Sequence, residues 1–168
     1  MTMNKYIRNY KMRKMLKSII KNLRETKYHI TNALAWRDTR DVYFREKYII
    51  INQLENIISF YEDSLNEKYY NEIFSYEELY VANHDSKSMA ECAFYINNKN
   101  GTFPYDAWEY LYNMITIGRS KEDSIKKYNK LQEIEKKKKD NKTSEHIDIA
   151  KAFIVLIIAI VFAKLFIH

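Results

Sequence analysis

The chain has 168 residues, a formal net charge of +6 and a charged fraction of 30%, but only two glycines and one proline. Sheet proteins of this size need many tight turns, and those turns usually draw on Gly and Pro. The composition therefore argues against a sheet protein and favours long helices with few breaks. A single cysteine, Cys92, excludes an internal disulfide and fits a reducing compartment.

The N-terminal segment is strongly basic, and residues 1–10 are predicted to be a basic extension in front of a helical domain at 11–138. Cations precede the first acidic residue, Glu25, at eight positions: Lys5, Arg8, Lys11, Arg13, Lys14, Lys17, Lys21 and Arg24. Three interpretations stay open for this basic surface: the solvated side of a helix, a contact for anionic lipid headgroups, and a contact for nucleic acid. Near anionic lipid, each cation contributes about 1 kcal/mol of binding free energy.

Two amphipathic helices are predicted next, on either side of the polar segment 37–41. Apolar residues at three- and four-residue steps form the first stripe: Leu16, Ile19, Ile20, Leu23, Ile30, Ala33 and Leu34. A similar spacing gives the second stripe: Phe44, Tyr48, Ile51, Leu54, Ile58, Tyr61 and Leu65. An antiparallel hairpin is the simplest arrangement. One continuous helix is the alternative, because no Gly or Pro forces a turn.

Helix starts are predicted at Ser75, Ser88 and Ser120, each of which precedes an acidic residue by three positions, the spacing of a capping box. Residues 74–96 also have the outline of a DNA-binding helix-turn-helix. Polar residues at 83–85 occupy its turn, where an apolar residue, Gly and an apolar residue are expected. The segment is therefore interpreted as part of a helical bundle, with His84 and Asp85 in a loop or cap.

Residues 107–135 are predicted to form a helical hairpin that turns near Gly118. Its predicted core takes apolar residues from both helices: Trp108, Leu111, Ile115, Ile125, Tyr128 and Leu131. The segment resembles a tetratricopeptide repeat, in which Trp is followed by Leu three residues later and by a large apolar residue at seven. Tyr112 stands where that family has a small residue. A plain hairpin in a small bundle is the alternative.

No catalytic, cofactor or metal site is predicted. The histidines lack metal-ligand spacing, and adjacent carboxylates such as Glu77 and Glu78 are interpreted as caps or surface charge. Cys92 lies between alanines with no partner base, so it is expected in the core. We therefore expect a protein that is not an enzyme.

Residues 147–168 form the most apolar segment and are predicted to be a single transmembrane helix. As a helix, residues 147–167 would extend roughly 31 Å, close to the ~30 Å hydrocarbon core of a bilayer. Lysine stems at both ends of the uncharged centre can reach the headgroups. The anchor residues are Ile147, Ile149, Lys151, Phe153, Ile154, Leu156, Ile157, Ile160, Phe162, Lys164 and Leu165. A buried core helix is the alternative.

The segment 139–146 is predicted to be a linker, and the lysines at 136–139 and 142 lie just before the span. The positive-inside rule then places the bulk of the chain in the cytoplasm, on a membrane that stays undetermined. Ala159 and Ala163 have the small-xxx-small spacing that permits close helix packing, and hence a homodimer.

The sequence thus predicts an all-α fold: a small helical bundle of antiparallel hairpins plus one C-terminal transmembrane helix. The leading functional hypothesis is a tail-anchored membrane protein whose cytoplasmic helical domain is an interaction or adaptor module, a plan similar to that of tail-anchored adaptors. One alternative is a membrane-tethered protein that binds nucleic acid through its basic N-terminal helix. Another is a phage or bacterial envelope protein that acts on the membrane itself.

Overall fold

The computed structural model describes residues 4–33, 42–67, 70–99 and 103–139, and these are almost entirely helical, without a strand. The all-α prediction is confirmed for this part of the chain. Six helices follow one another within these ranges: α1 (Lys5–Asn32), α2 (Val42–Glu67), α3 (Tyr70–Ile73), α4 (Tyr76–Asn98), α5 (Tyr105–Thr116) and α6 (121–139). The chain divides into two compact units, 1–128 and 129–168; in the second, residues 129–139 are helical.

The predicted membrane anchor lies outside the described residues, together with most of the predicted linker. Within the described ranges, no helix is both long enough and apolar enough to span a bilayer.

α1 and α2 run antiparallel. Arg24 Nη2 lies 2.6 Å from Glu62 Oε1, and Lys27 Nζ lies 2.5 Å from Glu55 Oε1. The later residue of α1 thus contacts the earlier residue of α2, as expected for antiparallel helices. The pair is therefore a hairpin and not one continuous helix. α1 begins at Lys5 and takes up residues 5–10 of the predicted extension, and the Asn4 side chain caps it by accepting from the Tyr6 amide at 2.9 Å.

α4 runs parallel to α1. Asn22 Nδ2 donates to Ser86 Oγ at 3.1 Å, and Asn97 Nδ2 lies 3.1 Å from His29 Nδ1. The predicted capping box at Ser75 is confirmed, but the predicted start at Ser88 is wrong, because Ser88 lies inside α4 and its hydroxyl donates to the preceding turn. Residues 83–85 are helical too, so the turn of a helix-turn-helix is absent from this segment.

α5 completes a four-helix arrangement. It runs antiparallel to α4. Cys92, late in α4, contacts Ala107 at the start of α5, whereas Asp85, earlier in α4, contacts Arg119 just after the end of α5. α1 packs against α2 and α4, and α5 packs against the same two helices. Hairpins α1–α2 and α4–α5 therefore lie side by side, as in other small bundles. Gly118, with φ +67°, is the left-handed residue just after the C-terminal end of α5, in the turn between α5 and α6.

The core confirms most of the first apolar stripe. Its six described residues are buried: Leu16, Ile19, Ile20, Leu23, Ile30 and Ala33. In α2, Leu54 and Ile58 are buried as predicted, but Tyr48 is exposed and Ile50 is buried instead. The buried face of α2 therefore differs from the predicted stripe near its N-terminal end, where Glu46 contacts Trp108 of α5.

The residues of the predicted hairpin core differ in burial between α5 and α6. Trp108, Leu111 and Ile115 are buried, whereas Ile125 is 44% exposed and does not occupy the predicted core position. Ser124 is buried at the neighbouring position, and successive helical residues point about 100° apart. Tyr128 follows Ser124 by four residues and makes an edge contact with Tyr80 at 5.2 Å between ring centroids. Leu131 is half-buried.

Candidate functional site

A cleft of about 380 Å³ lies among the four helices of the bundle, next to the start of α6. This volume is within the range of ligand pockets, roughly 300–1,000 Å³. Apolar side chains form most of its wall: Ile19, Leu23, Ile57, Phe60, Tyr61, Phe74, Leu79, Val81, Ala82, Met89, Met114 and Ile115. Polar groups lie at one end: Glu78, Asp85, Ser86, Arg119, Lys121 and Ser124, with Gly118 beside them.

One wall of the cleft is aromatic. Tyr61 and Phe74 stack with ring centroids 5.5 Å apart, and Phe60 meets Phe74 edge-on at 5.6 Å. Phe60 is half-exposed, although its partners are more buried. Aromatic pairs in such geometries hold one another in place. The cleft therefore has a rigid apolar wall that reaches the surface of the bundle.

The polar end is organised around Asp85, whose side chain is only 8% exposed. Arg119 Nε donates to Asp85 Oδ2 at 3.1 Å, and Lys127 Nζ donates to Oδ1. His84 Nδ1 lies 3.8 Å from the same carboxylate. A buried carboxylate needs such partners because desolvation of an unpaired charge is costly. Asp85 thus joins α4 to the α5–α6 turn and to α6.

Glu78 contributes the second carboxylate at this end. It accepts from the Ser75 amide at 2.7 Å, and Lys121 Nζ lies 4.0 Å away. Burial, together with the charges of Asp85 and Glu78, raises the pKa of Tyr61 to about 12. Tyr61 therefore stays neutral at physiological pH and presents a phenol to the cleft, not a phenolate.

Cys92 lies part-buried on α4, against the first turn of α5. Its thiol donates to the carbonyl of Ala107 at 3.1 Å, and burial raises its pKa to about 11. A reactive cysteine needs a lowered pKa and a nearby base or cation. Within the described ranges, no group of three or more His, Cys, Asp or Glu side chains could hold a metal ion.

The predicted basic surface is exposed along α1, and every one of its eight cations lies on solvent-accessible helix. At the C-terminal end of this surface a more open depression lies between α1 and α2, where Arg24 pairs with Glu62 and Lys21 Nζ lies 3.6 Å from Glu25. Two of the three cations that line it, Lys21 and Arg24, therefore already have carboxylate partners, and the third is Lys17. The apolar cleft lies on the opposite, core-facing side of α1, where Ile19 and Leu23 project.

Sequence reasoning missed the role of Asp85, which it placed in a loop or cap. One signal was available: Val81, Asp85 and Met89 follow one another at four-residue steps, so a charge stands within an apolar stripe. The partners gave no such signal, because Arg119 and Lys127 are separated from Asp85 by 34 and 42 residues.

Comparisons with known proteins add no relative to this geometry. No protein-family model, no curated protein and no solved structure gives a significant match to the chain.

Proposed function

We propose that this protein is a non-enzymatic interaction module held at a membrane. The apolar segment 147–168 would anchor it, with the helical bundle on the cytoplasmic side. The cleft would receive a segment of a partner protein. The observation that supports partner binding is the cleft itself, which combines an apolar wall, an open aromatic edge and a charged end.

The cleft suits an amphipathic helix as its occupant. Helical partners commonly insert one or two large apolar side chains into a groove between helices. Here Phe60 is half-exposed at the edge and Met114 lies within, so an inserted side chain would find aromatic and flexible apolar contacts. Lys121 is exposed beside the cleft, and the chain is basic overall. Both favour a partner helix with acidic residues on its polar face.

Membrane anchoring is tested by alkaline carbonate extraction of the tagged full chain and of a variant lacking 147–168. We expect the full chain to stay in the membrane pellet and the shortened chain to be released. Release of the full chain would contradict the anchor.

Partner binding is tested by placing a photo-crosslinking residue in the cleft of the full chain in its native membranes. Position Met114 lies in the cleft, and Glu109 is an exposed position on the same helix, so it is the matched control. We expect a discrete cross-linked protein from 114 and none from 109. That product should be lost when Ala82→Trp fills the cleft, and reduced by Phe60→Ala, which alters only the edge. Equal products from both positions would contradict the proposal.

A nucleic-acid function has less support, because the one candidate recognition segment is part of the continuous helix α4. What remains in its favour is the exposed basic surface of α1.

A further inference from the structure

The first part of α1 carries exposed cations without carboxylate partners. Six cations have no carboxylate oxygen of a described residue within 4.0 Å: Lys5, Arg8, Lys11, Arg13, Lys14 and Lys17. Together with Tyr6, Ile7 and Tyr10, they are called the basic face. Further along α1 the situation changes, because Lys21, Arg24 and Lys27 each have a glutamate partner. Unbalanced positive charge is therefore concentrated at one end of the helix.

Apolar and aromatic groups are exposed among these cations. Tyr6 is 85% exposed, Tyr10 69% and Ile7 51%. They do not cover the bundle, because the first buried residue of α1 is Met12. Large apolar side chains beside unpaired cations indicate a contact surface rather than a merely solvated one.

Most of these side chains share one side of α1, but Lys5 and Arg8 lie in register with Met12, in the turns before the first buried residue. Tyr10, Lys14 and Lys17 follow three- and four-residue steps, and this stripe lies opposite the stripe that begins with Met12 and Leu16. A surface could therefore lie flat along the side of α1 that carries Ile7, Tyr10, Lys14 and Lys17 without disturbing the core.

We propose that the basic face binds the surface of an anionic phospholipid bilayer. Lysine and arginine would pair with headgroups, while the tyrosine rings, apolar with a polar tip, would lie at the interface. The inference rests on the proposed function for the presence of a membrane, but the contact itself does not require the anchor. A bilayer fits better than nucleic acid because the cations stand beside an exposed aliphatic residue, Ile7, which can insert among lipid headgroups but offers no ring on which a base could stack.

The test uses the full chain in vesicles, with an environment-sensitive fluorescent amino acid in place of Tyr10. Vesicles of phosphatidylcholine are compared with vesicles in which about one lipid in three is phosphatidylserine. We expect a blue-shifted emission that is quenched by lipid-borne quenchers in the anionic vesicles only, and that weakens at high salt.

Charge removal then identifies the contact. The triple variant Lys11→Gln, Lys14→Gln, Lys17→Gln should lower the ratio of membrane-bound to free α1 by about a hundredfold, from roughly fivefold per lysine. Gln has a helix propensity close to that of Lys, so α1 should persist. The matched control, Lys87→Gln, Lys99→Gln, Lys126→Gln, removes the same charge from exposed positions outside α1 and should leave the signal unchanged.

Three results would overturn the inference: the same emission in neutral vesicles, the same loss in the control variant, or a response to duplex DNA or RNA without one to vesicles. Carbonate extraction of the same samples separates this inference from the proposed function. A chain that stays integral without the emission change refutes only the lipid contact. A chain that is extracted, yet shows the emission change with anionic vesicles, refutes only the anchor.

Discussion

Arg119 and Asp85 lie 34 residues apart in the chain, and the guanidinium Nε donates to the carboxylate at 3.1 Å inside the bundle. Lys127 donates to the other oxygen of the same carboxylate. One buried side chain on α4 thus holds both the α5–α6 turn and the first turns of α6. It also forms the polar end of the cleft, so stability and the shape of the candidate site depend on the same contact.

Asp85→Asn should destabilise the bundle by about 3 kcal/mol, because it removes the charge that compensates two partly buried cations. The measurement is denaturant unfolding of the full chain in mild detergent. Glu91→Gln is the control: its 3.8 Å pair with Lys87 is exposed, so its loss should cost less than about 1 kcal/mol. Similar small changes for both variants would show that Asp85 contributes no more than a surface charge.

Trp108 joins α5 to α2, because its indole Nε1 donates to Glu46 Oε2 at 2.8 Å while the ring is fully buried. Trp108→Phe should cost about 1–2 kcal/mol of unfolding free energy, mainly the lost hydrogen bond. Trp108→Ala should cost about 3–5 kcal/mol, because it also leaves a cavity. Glu46→Gln keeps an acceptor for the indole and should cost less than Trp108→Phe. The reverse order would contradict this account of the contact.

The raised pKa of Tyr61 predicts a loss of stability at alkaline pH. The folded value is about 12 and the ordinary value is 10.0, so between these values the unfolded chain loses a proton that the folded chain retains. Stability from this group is therefore fully present below pH 10 and declines as the pH rises towards 12. Unfolding free energy measured against pH should fall less steeply in Tyr61→Phe. The exposed control Tyr28→Phe should keep the wild-type slope, and identical slopes for both variants would refute the assignment.

Cys92 should react slowly with iodoacetamide in the folded protein. With a pKa of about 11 instead of 9.0, its thiolate fraction at neutral pH is lower by about a hundredfold, and burial restricts access as well. Mass spectrometry of timed samples should show alkylation at least about tenfold faster in denaturant. A cysteine introduced at exposed Glu91 provides the reactive reference. Equal rates at 91 and 92 would place the native thiol at the surface.

Local features of the helices were predictable from the sequence. The apolar steps from Leu16 to Ile30 predicted the buried face of α1, Ser75 with Glu78 predicted the start of α4, and Gly118 predicted the turn after α5. These predictions depend on helical periodicity and on hydrogen bonds between near neighbours. Such interactions act within a few residues, and the sequence contains them completely.

Where two local patterns were equally good, only the tertiary structure decided which one became a helix start or a buried position. Ser88 has the same capping spacing as Ser75, but it lies inside α4, because the apolar face of that helix continues across it against α1. Ile125 is exposed, although it matches a hairpin pattern, since neighbouring Ser124 is the buried residue. The buried role of Asp85 depends on cations more than 30 residues away. Burial and charge pairing are decided between helices, where sequence spacing does not encode distance.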